Sequence, residues 1–318
     1  MMKRLLTLMF CLCAGFLTAQ AQKPDTAKAI VHYKFSHLRD TTKPNEPYTE
    51  NMILFLGRTA SAYKSYDRKL QDAMMRKQIA QQIAANAGTN GPITVKRGGP
   101  RITNNEYYQF PGTGKLVRKE SLINSYLIEE PLPVIKWKIS NDTASFSGLK
   151  CQKATGILKG REYTAWFCPD LPFHSGPWKL NGLPGLIIEA YDAKKQVMFK
   201  FDGMDDPAKM EKPAAAAGEP GTIQSGSVVV KMIGMENANT DPNVIALPTN
   251  GIKATEKEFQ NLKEAMKKDP QAFIQSAMGG SGANFKGNIS GVGNVSRNVQ
   301  FNATPEVINN PLELPEKK

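Results

Sequence analysis

The sequence predicts a mainly β (α+β) protein, built on one large curved antiparallel sheet, half-barrel-like, with one or two peripheral helices. Three observations predict it. Alternating or apolar runs of strand length recur from Ile30 to Phe201. The links between most of them are too short for βαβ crossovers, which favours antiparallel pairing. Only two well-formed segments, near 67–87 and 256–268, repeat their apolar residues at helical spacing.

Taken in order, the chain opens Met1-Met2-Lys3-Arg4, runs apolar from Leu5 to Leu17 and reaches Ala19-Gln20-Ala21. A basic start, a short apolar run and a small-x-small site are the marks of a secretory leader cut after Ala21. The apolar run is too short to span a bilayer, and no second run of spanning length follows. The expected location is therefore the periplasm or the extracellular envelope, with no transmembrane anchor after cleavage. Ile30 to Phe35 alternates as a strand, Met52 to Gly57 is a second, and Ser61 to Tyr66 pairs nearby. From Asp67 to Ala87 the spacing turns helical, with an Ala-rich stripe between Lys, Arg and Gln. Gly88 to Pro100 breaks the pattern; 107–110, 115–118 and 122–127 then read as short strands. Five strands follow at 134–140, 145–157, 161–168, 185–192 and 196–202. Beyond Asp202 come a loop over 207–221, a strand over 227–233 and a helix from about 256 to 268. That helix is announced by the capping box Thr255-Glu256-Lys257-Glu258. Residues 271–278 read as its short continuation. The expected organisation is a leader over 1–21, one β-rich domain over 22–278 with a helical insertion near 67–87, and a Gly/Asn-rich tail over 279–318 ending in an extended segment.

The formal charge is +12 over 318 residues, and it falls by two when Lys3 and Arg4 leave with the leader. The basic residues are scattered, without the aromatic-interleaved stripe that single-strand binders use, so nucleic acid is excluded as a partner. Anionic glycan or lipid surfaces remain compatible with the surplus.

Cys151 and Cys168 are the two cysteines outside the leader, and in an exported chain an isolated pair reads as a disulfide. If Lys159-Gly160 is a two-residue hairpin loop, Leu158 faces Arg161 and, seven steps outward, Cys151 faces Cys168. That pair falls at a non-hydrogen-bonded position, where Cα atoms approach to about 4.5 Å, within disulfide reach. A three-residue loop with a bulge would shift the partner by one.

Candidate chemistry is sparse. Asp170, His174 and Ser175 lie together after Cys168, but adjacent His and Ser side chains rarely form a nucleophile–base bond, and no G-x-S-x-G elbow surrounds a serine. His32 and His37 fall on opposite faces of a strand, which is poor metal geometry. A hydrolase using His174 with Asp170 or Asp192 stays as an alternative. Trp137, Trp166 and Trp178, with His174, offer a ligand surface, although large aromatics in a sheet usually serve its core. No cofactor, metal or catalytic set is expected.

Gly182-Leu183-Pro184-Gly185-Leu186-Ile187 joins a turn-rich stretch to a strand, and its Gly and Pro fix a defined corner. Together with Trp137, the run 147–154, the run 160–167 and Gly176-Pro177-Trp178-Lys179-Leu180, it resembles the GLPGLI family of exported Bacteroidetes proteins. The resemblance is specific between about 134 and 202; Asn309-Asn310-Pro311-Leu312-Glu313-Leu314 is similar to the family's usual ending. It implies an exported protein of unestablished function, a non-catalytic binding or accessory protein whose genes accompany TonB-dependent outer-membrane transport. It carries no catalytic residues over. A curved sheet would leave an apolar concave face for a lipid or peptide, and likeness to lipoprotein carriers is here one of architecture alone.

Overall fold

The computed structural model describes residues 24–85, 102–209, 222–225, 228–231, 243–249, 251–273, 276 and 307–315. The leader, most of the 207–221 loop and the Gly-rich stretch 279–298 lie outside the described residues. The strands are β1 (Asp25–Thr26), β2 (Ala29–His37), β3 (Tyr48–Leu56), β4 (Ser61–Ser65), β5 (Glu106–Phe110), β6 (Lys115–Ser121), β7 (Ser125–Pro131), β8 (Lys138–Phe146) and β9 (Leu149–Leu158). They continue as β10 (Arg161–Cys168), β11 (Leu186–Asp192), β12 (Val197–Asp205), β13 (Thr222–Ser225), β14 (Val228–Lys231), β15 (Val244–Ile245) and β16 (Ile252–Ala254). Two α-helices are described, α1 (Tyr66–Ala85) and α2 (Glu256–Lys268).

Twelve strands form one sheet in the order β16-β7-β6-β5-β4-β3-β2-β12-β11-β10-β9-β8. The order is two antiparallel meanders, β2 to β7 and β8 to β12, joined where β12 pairs with β2. The consecutive strands β7 and β8 therefore sit ten strand spacings apart, roughly 48 Å across a flat sheet. Only residues 132–137 link them, and that link reaches at most about 25 Å when fully extended. The sheet has to curl until β7 and β8 approach, as an up-and-down barrel left open at one seam. One pairing departs from the expected antiparallel rule: β16 runs parallel to β7. It arrives by a long crossover rather than a hairpin, so no tight turn dictates its direction.

The hairpins explain most boundaries. Lys159 and Gly160 both take positive φ, 47° and 71°, which is the type I′ geometry whose twist matches the strands. Leu158 faces Arg161, and the register runs unbroken to Gln152 opposite Phe167. One step further, Cys151 and Cys168 are disulfide-bonded, with Cα atoms 4.3 Å apart. The strands expected at 134–140 and 145–157 are cut differently. Ser147-Gly148 is a second turn with positive φ, so β8 runs 138–146 and β9 starts at Leu149. The alternation of Val134 to Trp137 belongs to the seam link instead, where Val134 is fully exposed and Trp137 half-buried.

Inside the curl lies the main core: Tyr33, Leu54, Tyr63, Tyr163, Phe167 and Phe199 from five strands, closed by Trp178 and Leu180. The other face of the sheet carries a second cluster around Ile30, Ile53, Phe55, Ala62 and Tyr108, with α1 packed beside β3. On α2, Phe259 is buried against Tyr126 and Ile128 of β7.

Candidate functional site

The segment between β10 and β11, residues 169–185, fills the concave side of the sheet. Trp178 is at its tip, 1 % exposed, stacked on Phe199 at 6.4 Å and tilted against Tyr163 at 6.3 Å. Gln109 Nε2 of β5 donates to Trp178 O at 3.0 Å, and Trp137 Nε1 donates to Asn181 O at 2.8 Å. One loop touching β5, β10 and β12 is possible only inside a curled sheet. The loop closes on itself where Gly182 N donates to His174 O and Ile187 N to Ser175 O, both at 3.1 Å. Gly185 then turns the chain into β11 with φ +147°; a Cβ there would lie 2.2 Å from Cys168 O. The Gly-Leu-Pro-Gly corner thus brings β11 against the cysteine end of β10, where Cys168 pairs with Leu186.

This arrangement corrects the expectation of an aromatic ligand surface. Trp178 is buried, Trp166 packs on Phe146 on the opposite face at 5.6 Å, and Trp137 holds the loop. His174 is exposed, so the buried Trp178 and the opposite-face Trp166 share no surface with it. Among the described residues, the plugged concave side also leaves no continuous apolar trough of the kind a lipid carrier requires. His174 has no hydrogen bond or ion pair to Asp170 or Asp192 among the described residues. Asp192, 3 % exposed, is committed elsewhere: Oδ2 accepts from Arg161 at 2.7 Å and Oδ1 from the Gln196 and Val197 amides.

What remains open is a cleft of about 1080 Å³ at the seam, lined by β6, the link after β7, the β9–β10 turn, α2 and the C-terminal segment. Its floor is an ion network. Lys179, 1 % exposed, bonds Glu130 and Glu313, each at 2.8 Å. Arg118 meets Glu120 at 2.6 Å, Glu130 at 3.2 Å and Glu256 at the α2 N-terminus. Nearby carboxylates outweigh the burial that works against the Arg118 charge and leave its pKa raised. Lys179 and Arg118 lie deep, while Lys159 of the β9–β10 turn is half-buried and pairs with Glu313 at 3.7 Å. Glu256 and Glu313 are half and more than a third exposed, and Glu162 on the rim is exposed. Pro131, Leu132, Pro133, Val134 and Ile157 form an apolar rim, with Ile157 71 % exposed.

The C-terminal segment 309–314 supplies one wall. Arg161, 4 % exposed, donates from Nη2 to Asn310 Oδ1 and Pro311 O, both at 2.6 Å, and from Nε to Leu312 O at 3.0 Å. His37 Nε2 donates to Asn310 O at 2.8 Å; burial holds this imidazole well below its ordinary value, at about 4. On the convex face Glu106 is enclosed by Lys64, Lys119 and Tyr108. Burial works to raise the Glu106 carboxyl, but the two lysines and the Tyr108 hydroxyl outweigh it and bring it to about 2. Among the described residues no group of three or more His, Cys, Asp or Glu could hold a metal ion, and no helix is long and apolar enough to cross a membrane.

Sequence reasoning missed Lys179, Arg118, Glu130 and Arg161. Lys179 stood inside the Gly-Pro-Trp-Lys-Leu run and Arg161 opened a strand, but neither neighbourhood showed its distant carboxylate. Residues 150–189 match a family model described as a protein of unknown function, Porph_ging. The match spans β9, β10, the Trp178 loop and the start of β11. No curated protein matches the chain. Two structures of PNGF-II, in the C2 and P21 space groups, are similar with TM-scores of 0.44 and 0.43 at 8 % and 10 % identity. They cover 73 % and 74 % of this chain. The chain spans 32 % of each of those longer chains.

Proposed function

We propose that the protein is an exported, non-catalytic binding or accessory protein of the GLPGLI kind, serving outer-membrane transport from the envelope, and that the seam cleft is its binding site. The carrying observation is the division of roles inside the curl: Trp178 plugs the apolar side, while the open cleft presents exposed carboxylates, and its cations Lys179, Arg118 and Lys159 are each already engaged by a carboxylate. Such a site favours a polar partner bearing cationic groups, such as a basic peptide segment whose apolar residues cover Val134 and Ile157. The leader-like start supports export, and the run from Trp137 to Ile187 supports the family reading.

The test is thermal-shift and calorimetric titration of the purified protein with a Lys/Arg-containing peptide, an anionic oligosaccharide and anionic vesicles, each at low and high salt. The basic peptide should stabilise the protein, with an effect that salt weakens. Glu162→Gln with Glu256→Gln should diminish it. Preference for the anionic probes, or no response to any of them, would overturn the reading.

A further inference from the structure

Leu312 packs against the edge of the main core, but the polar contacts made by residues 309–314 are those of a bound peptide. The segment forms no strand, yet its polar groups are read one by one. Asn310, 7 % exposed, donates from Nδ2 to Leu38 O at 2.7 Å and from N to Arg39 O at 3.0 Å. Its Oδ1 accepts from Arg161, its O from His37, and the next two carbonyls accept from Arg161 again. Leu314 N donates to Lys159 O at 3.0 Å. Most of the donors and acceptors that hold it belong to β2 and its C-terminal extension, to the β9–β10 turn and to β10; Gln196 Oε1 before β12 accepts from Asn310 Nδ2 at 3.3 Å, and Lys179 of the Trp178 loop holds Glu313. These elements are ordered by their own ladders and by the Asp192 bond to Arg161. A buried guanidinium that grips a side-chain amide and two backbone carbonyls is a specific peptide-recognition device.

We infer that this groove is a self-contained peptide site for the sequence Asn-Asn-Pro-Leu, filled in cis by the chain's own C-terminal segment and able to take the same segment from a second copy. Each copy carries the one sequence seen to satisfy the groove, which names the occupant. Residues 277–306, which precede it, reach on the order of 100 Å when extended, enough to bridge two copies. The inference is independent of what the cleft binds, although Glu313 belongs to both sites.

The experiment introduces a protease site between 279 and 298 and cuts the folded, full-length protein, leaving the C-terminal fragment with no covalent link to the rest of the chain. Native mass spectrometry then follows a mixture of unlabelled and isotopically labelled cut copies. The fragment should stay bound after cutting and redistribute into mixed-mass complexes. Asn310→Ala should lower its retention by more than about tenfold, whereas Asn309→Ala, which removes only solvent-exposed hydrogen bonds to Thr41 and Asp40, should lower it less. A fragment that is retained but never exchanges, or whose cutting abolishes cooperative unfolding, would show the segment to be part of the core and overturn the inference. Immediate loss without rebinding would overturn it equally.

Discussion

Gly185 carries the strictest demand of any single residue described. Its φ of +147° is open to glycine alone, and a Cβ would strike the Cys168 carbonyl. Gly185→Val should therefore cost more than ~3 kcal/mol and deplete folded protein, read by circular dichroism and thermal melting. Gly114→Ala is the control. It also sits at positive φ but faces open space, so it should cost only about 1–2 kcal/mol. His37 makes the second residue-level prediction. Its folded pKa of about 4 lies below the unfolded value near 6.5, so the unfolded state binds the extra proton between them. Stability should fall as pH drops from about 6.5 to about 4, by up to ~3 kcal/mol, and level off below. Glu106 acts in a lower window: its contribution is full above about 4.5 and is lost as pH falls towards about 2. Denaturant melts of wild type and His37→Gln across pH 4.5–7 should separate the two, since only the wild type should keep the upper slope.

Among the elements, the β9–β10 hairpin is held twice, by a type I′ turn and by the disulfide at its open end. Replacing Cys151 and Cys168 together with Ser should cost about 3 kcal/mol for a loop of this size, measured as a lower denaturant midpoint with the fold retained. Helix α2 has its capping box in place: Thr255 Oγ1 accepts from Glu258 N, and Glu258 returns a bond from Thr255 N. Thr255→Ala should cost about 1 kcal/mol and loosen the wall that Glu256 gives the cleft, visible as faster amide exchange in the first turn. Elements like these were legible in the sequence because their causes are local. The α2 boundaries follow from Thr255 and Glu258, and the cysteine pairing from the turn at Lys159-Gly160. The error at 134–146 has an equally local cause. Val134 to Ile139 alternates as a strand does, but its first residues cross the seam, and alternation cannot tell a strand from an extended link.

At the scale of the molecule, the curl of the sheet joins parts that are remote in sequence. Lys179 ties the Trp178 loop to β7 through Glu130 and to the C-terminal segment through Glu313. Lys179→Met should leave Glu130 to Arg118 alone and Glu313 to Lys159 and solvent, and destabilise the protein by about 1–3 kcal/mol. Hydrogen exchange should rise first at the Leu314 amide, which bonds to the Lys159 carbonyl. An unchanged exchange pattern would show that the seam does not depend on this ion network.

The sequence by itself determined the β-rich class, the hairpin carrying the disulfide, the capped helix and the Gly-Pro corner, because each depends on φ preferences, caps and alternation within a few residues. Only the tertiary structure decided that Trp178 plugs the concave face, that Asp192 is held by Arg161 rather than paired with His174, and that the open cleft is charged. Those outcomes depend on which distant strands the curl brings together, and no local pattern encodes that distance.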